Sequence, residues 1–194
     1  MEVKFKIVTL GYIVAEISSE TKRFKIAHSS NYGDKFQELL NKFFFIYEII
    51  KEKDIGYFPY STTVLWEDDC VNYNWTISMN SVDSHINIKI KQLSSSNFGY
   101  KKMLIHEDIE TRKLFDAIYQ SLEKMLADFG FVGYKKKWEV GNFPIAEYIT
   151  LKAAREGMGL RHASCPEEDE WKQKIDPNDE LGVINISTPY NNGS

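Results

Sequence analysis

Cysteine, proline and long apolar runs are scarce in this chain of 194 residues. The two cysteines, Cys70 and Cys165, are too few to build a disulfide framework. The most apolar stretch, Phe43–Ile50, is far shorter than a membrane span and contains Glu48. We therefore expect a protein outside the membrane whose core forms without disulfide bonds.

Positive charge is also in deficit, since 24 Lys and Arg against 28 Asp and Glu give a formal net charge of −4. Dedicated nucleic-acid-binding proteins usually have a basic balance, so this composition argues against nucleic acid as the partner. The first seven residues alternate charged and apolar side chains and do not form the apolar run of a signal peptide. The sequence therefore predicts a cytoplasmic protein.

Familiar catalytic and cofactor motifs are missing. No serine lies in a Gly-x-Ser-x-Gly elbow, and the pair Gly157 and Gly159 lacks the third glycine and preceding strand of a dinucleotide site. His162 and Cys165 have ligand-like spacing, but a structural zinc site needs four ligands. The acidic residues that follow Cys165 also oppose formation of its thiolate. We predict no catalytic residue, no metal ligand and no cofactor.

Aromatic residues and alternating patterns are what the chain does have. Aromatic content is 14%, and a Phe-rich core is its simplest explanation because aromatic rings bury large areas. Alternation of apolar and polar residues with a period of two predicts antiparallel strands with one solvated face. The predicted strands lie within residues 3–7, 12–17, 24–26, 62–66, 71–79, 86–90 and 131–138, with Val183, Ile184 and Ile186 compatible with a terminal strand.

Helical spacing of apolar residues predicts three helices. The first starts at an N-cap on Asn31 and ends near residues 51–53, where lysines complement the helix dipole. The second spans about 108–128 and is followed by Gly130 at the C-cap. The third starts near Pro144 and stops at Gly157.

These elements predict an α+β fold: an antiparallel sheet of about five to seven strands with two or three helices packed against it. We expect one domain over residues 1–160. Residues 161–194 differ in composition, being acidic and interrupted by proline at first, and form a C-terminal extension.

Two candidate binding regions flank the predicted strand 62–66. Tyr57, Phe58 and Tyr60 lie in a predicted loop, where large aromatic side chains either fold back into the core or form an exposed binding tip. Glu67, Asp68 and Asp69 follow the same strand. Three adjacent acids are typical of a solvated turn, although a metal-dependent nuclease or hydrolase uses such clusters too.

A basic and aromatic segment is the third candidate. Lys135, Lys136 and Lys137 lie between Tyr134 and Trp138. Lysines of this kind contact phosphates while rings stack on bases. The alternative is an edge strand on which lysines prevent aggregation.

The order of elements resembles that of small bacterial α+β immunity proteins, the cytoplasmic inhibitors that neutralise a neighbouring toxin. The features that carry it are the helix start Asn31–Asp34, Leu39–Leu40, and the hairpin around Trp75 and Ile86–Ile90. The resemblance covers residues 24–92 and carries over no functional residue. It implies an acidic binding protein without catalysis.

The sequence thus predicts a non-enzymatic protein-binding domain, with an immunity-type inhibitor of a toxin as its specific form. An acidic, aromatic surface would block the toxin sterically, and the partner would be another protein. Two alternatives stay open: a hydrolase or nuclease with carboxylates outside any known motif, and a module that binds small ligands or nucleic acid through Lys135–Lys137 and Trp138. The sequence does not predict an oligomeric state.

Overall fold

The structure is a computed structural model that describes residues 1–19, 22–81, 85–94, 99–157, 162–163, 174–175, 180 and 182–184. The chain divides into two compact units, Met1–Pro144 and Ile145–Ser194. The expected boundary at residue 160 stays a prediction, because most residues beyond it lie outside the described ranges.

The described residues of the first unit form seven strands in two antiparallel sheets, with strand orders β1-β2-β3 and β4-β5-β6-β7. The strands are β1 (Glu2–Thr9), β2 (Tyr12–Ser18), β3 (Arg23–Ser29), β4 (Tyr60–Glu67), β5 (Val71–Met79), β6 (His85–Ser94) and β7 (Tyr100–Glu110). The α+β class is confirmed, but the expectation of a single sheet is wrong. The chain leaves the first sheet after Ser29 and enters a helix before β4 begins, so each meander forms its own ladder.

Two helices complete the first unit: α1 (Lys35–Glu52) and α2 (Thr111–Trp138). The buried residues of α1 recur every three or four positions, which is the apolar face that the sequence predicts. Its N-cap is Asp34, whose side chain accepts a hydrogen bond from the Gln37 backbone N–H, so the predicted cap at Asn31 is wrong. Asn31 instead lies in a single 3-10 turn, Ser30–Tyr32.

Helix α2 lies along the outer edge of the first sheet. The Phe5 backbone N–H in β1 donates to the Ser121 Oγ at 3.0 Å, and that hydroxyl donates to the Ala117 carbonyl at 2.7 Å. Because the helix supplies an acceptor to an end strand, this part of the edge is protected from pairing with another chain.

The end of α2 also differs from what the sequence predicts. The predicted strand over residues 131–138 is a helical segment, which continues α2 after an interruption at Gly130. Gly130 has φ 61° and ψ 178°, so the glycine ends the first segment as predicted but the chain then resumes a helix. Tyr134 and Trp138 are buried while the three lysines between them are exposed, which fits the period of a helix and not the alternation of a strand.

An aromatic core joins the two sheets. The rings of Phe5, Phe36, Trp66 and Trp75 lie 5.2–6.5 Å apart, in the range of favourable tilted contacts. Trp66 also donates from its Nε1 to the Lys35 carbonyl at the start of α1. The prediction of an aromatic core is confirmed by these residues, which are at most 3% exposed.

The second unit contains helix α3 (Ile145–Glu156) and two short paired strands, β8 (His162–Ala163) and β9 (Lys174–Ile175). The third predicted helix is confirmed, and Gly157 follows it with φ +69°. Residues 182–184 are helical, so the predicted strand there is wrong, and Ile186 lies outside the described residues.

None of the described helices combines the length and the apolarity needed to cross a membrane.

Candidate functional site

The structure separates two regions that the sequence places on one acidic, aromatic surface. Tyr60 begins β4 and Glu67 ends it. An extended strand rises about 3.3 Å per residue, so these two positions are roughly 23 Å apart. The aromatic loop and the acidic turn are therefore distinct regions at opposite ends of one strand.

The aromatic loop forms a partly exposed cluster. Tyr57 is 52% exposed at the end of a 3-10 turn, while Phe58 and Tyr60 are half-buried. The Phe45 ring from α1 lies 5.4 Å from the Tyr57 ring and 5.2 Å from the Tyr60 ring. The loop thus combines the two predicted outcomes, since Tyr57 is exposed while its neighbours pack partly against the domain.

The acidic turn is organised by contacts from distant parts of the chain. The Asp69 Oδ2 accepts a hydrogen bond from the Tyr12 hydroxyl at 3.1 Å, and its Oδ1 accepts one from the Tyr32 hydroxyl at 3.3 Å. The Asp69 backbone N–H donates to the Asp68 Oδ1 at 2.8 Å, as expected for a turn former. We call Tyr12, Tyr32, Asp68 and Asp69 the tyrosine–aspartate surface.

Both phenol groups of this surface are held in their protonated form. The hydrogen bond with Ser29 lowers the pKa of Tyr12, but the hydrogen bond to Asp69, burial and the charge of Asp69 outweigh it and raise the pKa overall. Desolvation, and then the charge and hydrogen bond of Asp69, raise the pKa of Tyr32. Since a tyrosine ordinarily ionises near pH 10, both hydroxyls remain donors at neutral pH.

Directly beneath this surface, His28 connects the two sheets. Its Nε2 lies 2.9 Å from the Gly33 carbonyl oxygen and must donate to it. Its Nδ1 lies 3.0 Å from the carbonyl oxygen and 3.3 Å from the backbone nitrogen of Glu67, the residue before Asp68. With the proton on Nε2, the Nδ1 of the neutral ring accepts from the Glu67 N–H, whereas a protonated Nδ1 would donate to the Glu67 carbonyl. The imidazole is fully buried and lies 5.7 Å from the rings of Trp66 and Trp138. His28 therefore positions the acidic turn through its backbone.

Burial determines the charge of His28. Desolvation lowers the pKa of His28 below its usual value, against the opposing effects of hydrogen bonds to Gly33 and Glu67 and the charges of Asp34 and Glu67. In an unfolded chain this ring takes up a proton near pH 6.5, whereas in the folded chain it does so only at a lower pH. The contribution of His28 to stability is therefore complete above about pH 6.5 and is lost as the pH falls below that value.

We expect the free energy of unfolding to fall between pH 7.5 and pH 5.5, by up to about 1.4 kcal/mol per pH unit from this one proton. Chemical denaturation at a series of pH values measures it. His28→Gln should flatten the slope, and His106→Gln, at an exposed position, is the matched control. An NMR titration in which His28 of the folded wild type protonates at or above pH 6.5 would contradict the prediction.

The basic and aromatic segment does not offer a stacking surface. Trp138 is fully buried, and its Nε1 donates to the Asp34 Oδ1 at 3.0 Å. Lys135, Lys136 and Lys137 are exposed on the last turn of α2 and not on an edge strand, so the alternative of edge protection is also wrong there. Ring stacking on bases is excluded for Trp138, while the lysines remain on the surface.

Gly141 lets the chain pass closely over Asp34. A Cβ at this position would overlap with the Asp34 carboxylate and lie 3.0 Å from Cδ1 of Trp138. The Asp34 carboxylate thus caps α1, accepts the Trp138 N–H and packs against a glycine backbone. This contact fixes the end of α2 beside the start of α1.

Sequence reasoning missed Tyr12, His28, Tyr32 and Asp34 as members of this site. Tyr12 and Tyr32 are 57 and 37 residues from Asp69 in the sequence, so no local spacing signals their contact. In the second unit, Lys152 was also missed: it is 1% exposed and its Nζ lies 5.9 Å from the centre of the Tyr148 ring.

Within the described part of the chain, no group of three or more His, Cys, Asp or Glu side chains is arranged to hold a metal ion. Cys70 is a free, exposed thiol in the turn between β4 and β5, and Cys165 lies outside the described residues. Comparisons with protein-family models, curated proteins and solved structures gave no match.

Proposed function

We propose that this protein binds a partner protein with a basic surface, and that the tyrosine–aspartate surface makes the contact. The observation that carries the proposal is the position of Asp69, whose carboxylate accepts hydrogen bonds from Tyr12 and Tyr32 while it remains exposed. A charged group held in place before binding loses less conformational freedom on association than a mobile one.

The chemistry of this surface suits a cationic partner. Asp68 and Asp69 contribute to the net charge of −4, and complementary charge accelerates association and disfavours acidic competitors. Tyrosine is enriched among the residues that contribute most to protein interfaces, since it combines apolar area with a polar group. Tyr32 is 39% exposed and therefore offers apolar area and a hydroxyl group to a partner.

In the specific form that we propose, the protein is an immunity-type inhibitor that covers the active site of a toxin. Such an inhibitor acts by steric exclusion and needs no chemistry of its own. An enzyme that acts on nucleic acid has a cationic substrate-binding surface, which is the complement of Asp68 and Asp69. The resemblance of residues 24–92 to immunity proteins supports this form.

Affinity capture with the tagged full chain, followed by mass spectrometry, tests the proposal. We expect one protein of basic character in a fixed ratio to the bait, released as the salt concentration rises because salt screens exposed charges. The captured protein should lose its own activity when the chain is added in equal amount. Turnover from a hydrolase panel that disappears in Asp68→Asn or Asp69→Asn would instead identify an enzyme and contradict the proposal.

A further inference from the structure

A groove in the first unit lies between the start of β3 and the first half of β7. Its volume is about 390 Å³. Three consecutive residues from each side line it: Lys22, Arg23 and Phe24, and Lys102, Met103 and Leu104. The groove is remote from the tyrosine–aspartate surface, because Arg23 begins β3 whereas His28 and Ser29 end it.

The groove is positively charged, whereas the whole chain has a net negative charge. Among the residues that the structure describes, its lining contains three cations and no carboxylate, although the net charge is −4. Among the described residues Lys22, Arg23 and Lys102 form no ion pair, whereas nearby Lys25 pairs with Glu16 at 3.1 Å. A concentration of unneutralised positive charge at one concave place attracts an anionic ligand.

The two strands that flank the groove also offer backbone groups. β3 ends the order of the first sheet and β7 ends the order of the second. β3 pairs with β2 in unbroken register, so its other side keeps a regular row of N–H and C=O groups to which an extended peptide can add. The row on β7 is less regular, because its pairing with β6 shifts register beside the groove. A phosphate ion or another small anion is too short to form hydrogen bonds along such a row of backbone groups.

Apolar side chains complete the lining. Phe24 is half-buried, Met103 is 38% exposed and Leu104 is buried. In a strand, successive side chains point to opposite sides, as Arg23 and Phe24 do in β3. In a peptide added to β3, acidic residues can therefore face Arg23 while alternate apolar residues contact Phe24.

We propose that the groove binds an extended peptide segment in which acidic and apolar residues alternate. The site is independent of the proposed inhibitor function and opposite to it in charge. Lysines on end strands also protect proteins from aggregation. Protection alone predicts no affinity for such a peptide, so a binding measurement separates the two roles.

Fluorescence anisotropy with the full chain and a labelled peptide of about ten residues, alternating Glu and Val, tests the proposal. We expect saturable binding that weakens with salt, no binding of the matched Lys-Val peptide, and loss of binding when alternate backbone nitrogens are methylated. Lys22→Glu/Lys102→Glu should weaken binding at least about tenfold, because it places two acids where the peptide has its own. Both positions are exposed, so the fold should persist.

The matched control is Lys136→Glu/Lys137→Glu, which changes the net charge equally at exposed positions on α2. It should change the affinity less than about twofold, as should Tyr32→Ala/Asp69→Asn, because exposed charges far from a site are screened. Absence of peptide binding, equal loss in both lysine pairs, an unaffected methylated peptide, or tighter binding of a single-stranded oligonucleotide of equal charge would each overturn the proposal.

Discussion

Replacing Trp138 with alanine should lower the free energy of unfolding by about 3–5 kcal/mol, the usual range for removal of a buried tryptophan. The side chain is 0% exposed, and its loss leaves a cavity beside His28. The substitution also removes the donor that Asp34 accepts. We expect the largest change in stability here because one side chain links the end of α2 to the start of α1.

Urea denaturation of the wild type and the variant gives the measurement, and Val132→Ala is the matched control. Val132 lies on the same helical segment but is 70% exposed, so its truncation should change stability by less than about 0.5 kcal/mol. Similar small losses in both variants would show that the segment after Gly130 does not pack as described.

Replacing Asp34 with alanine should lower the free energy of unfolding by about 2–4 kcal/mol, because one backbone donor and one side-chain donor lose their acceptor at once. The Asp34 Oδ1 accepts from the Gln37 backbone N–H at 3.0 Å and from the Trp138 Nε1 at 3.0 Å. Asp34→Asn keeps one carbonyl oxygen that can accept both bonds and is an equally good N-cap, so it should cost less than about 1 kcal/mol.

A double-mutant cycle with Trp138→Phe separates the two bonds of Asp34. Phenylalanine keeps most of the ring but has no N–H to donate. The losses from Asp34→Ala and Trp138→Phe should therefore be less than additive, since both remove the same hydrogen bond. Strict additivity would contradict the shared contact, and an equal loss in Asp34→Ala and Asp34→Asn would show that charge matters more than capping.

The sequence predicts the meander β1 to β3, the strands β4 to β6 and the core face of α1 because those elements follow a regular period. In β1 the buried Val3, Phe5 and Ile7 alternate with exposed lysines, and the pattern is complete within the strand. Such local regularity reflects which face is buried and needs no knowledge of distant contacts.

The strand β7 was missed because its period is broken. Lys101, Lys102 and Met103 are consecutively exposed, and its pairing with β6 shifts register at two points, near Ile90 and Gln92. Each irregularity moves side chains to the other face, so alternation is lost. The helical segment after Gly130 was missed because its eight residues are too short for a clear helical period.

The site depends on contacts that no local pattern contains. The acidic turn at Asp68 and Asp69 was predicted, but its two tyrosine donors come from β2 and from the turn before α1. Trp138 was predicted as a ligand contact, and it is instead a buried partner of Asp34. Tertiary packing decides whether an aromatic residue in a basic run is exposed, and the run itself does not show it.

Capture experiments with three baits side by side test the central claim most directly: the wild type, Tyr32→Ala/Asp69→Asn, and Tyr57→Ala. Tyr57 is an exposed tyrosine at the opposite end of β4 and controls for a general loss of aromatic surface. We expect the double variant to retain at least about tenfold less of the basic partner, as for interface residues of large effect, and Tyr57→Ala to retain as much as the wild type. Equal retention by the wild type and the double variant, or a loss confined to Tyr57→Ala, would show that the tyrosine–aspartate surface is not the binding site.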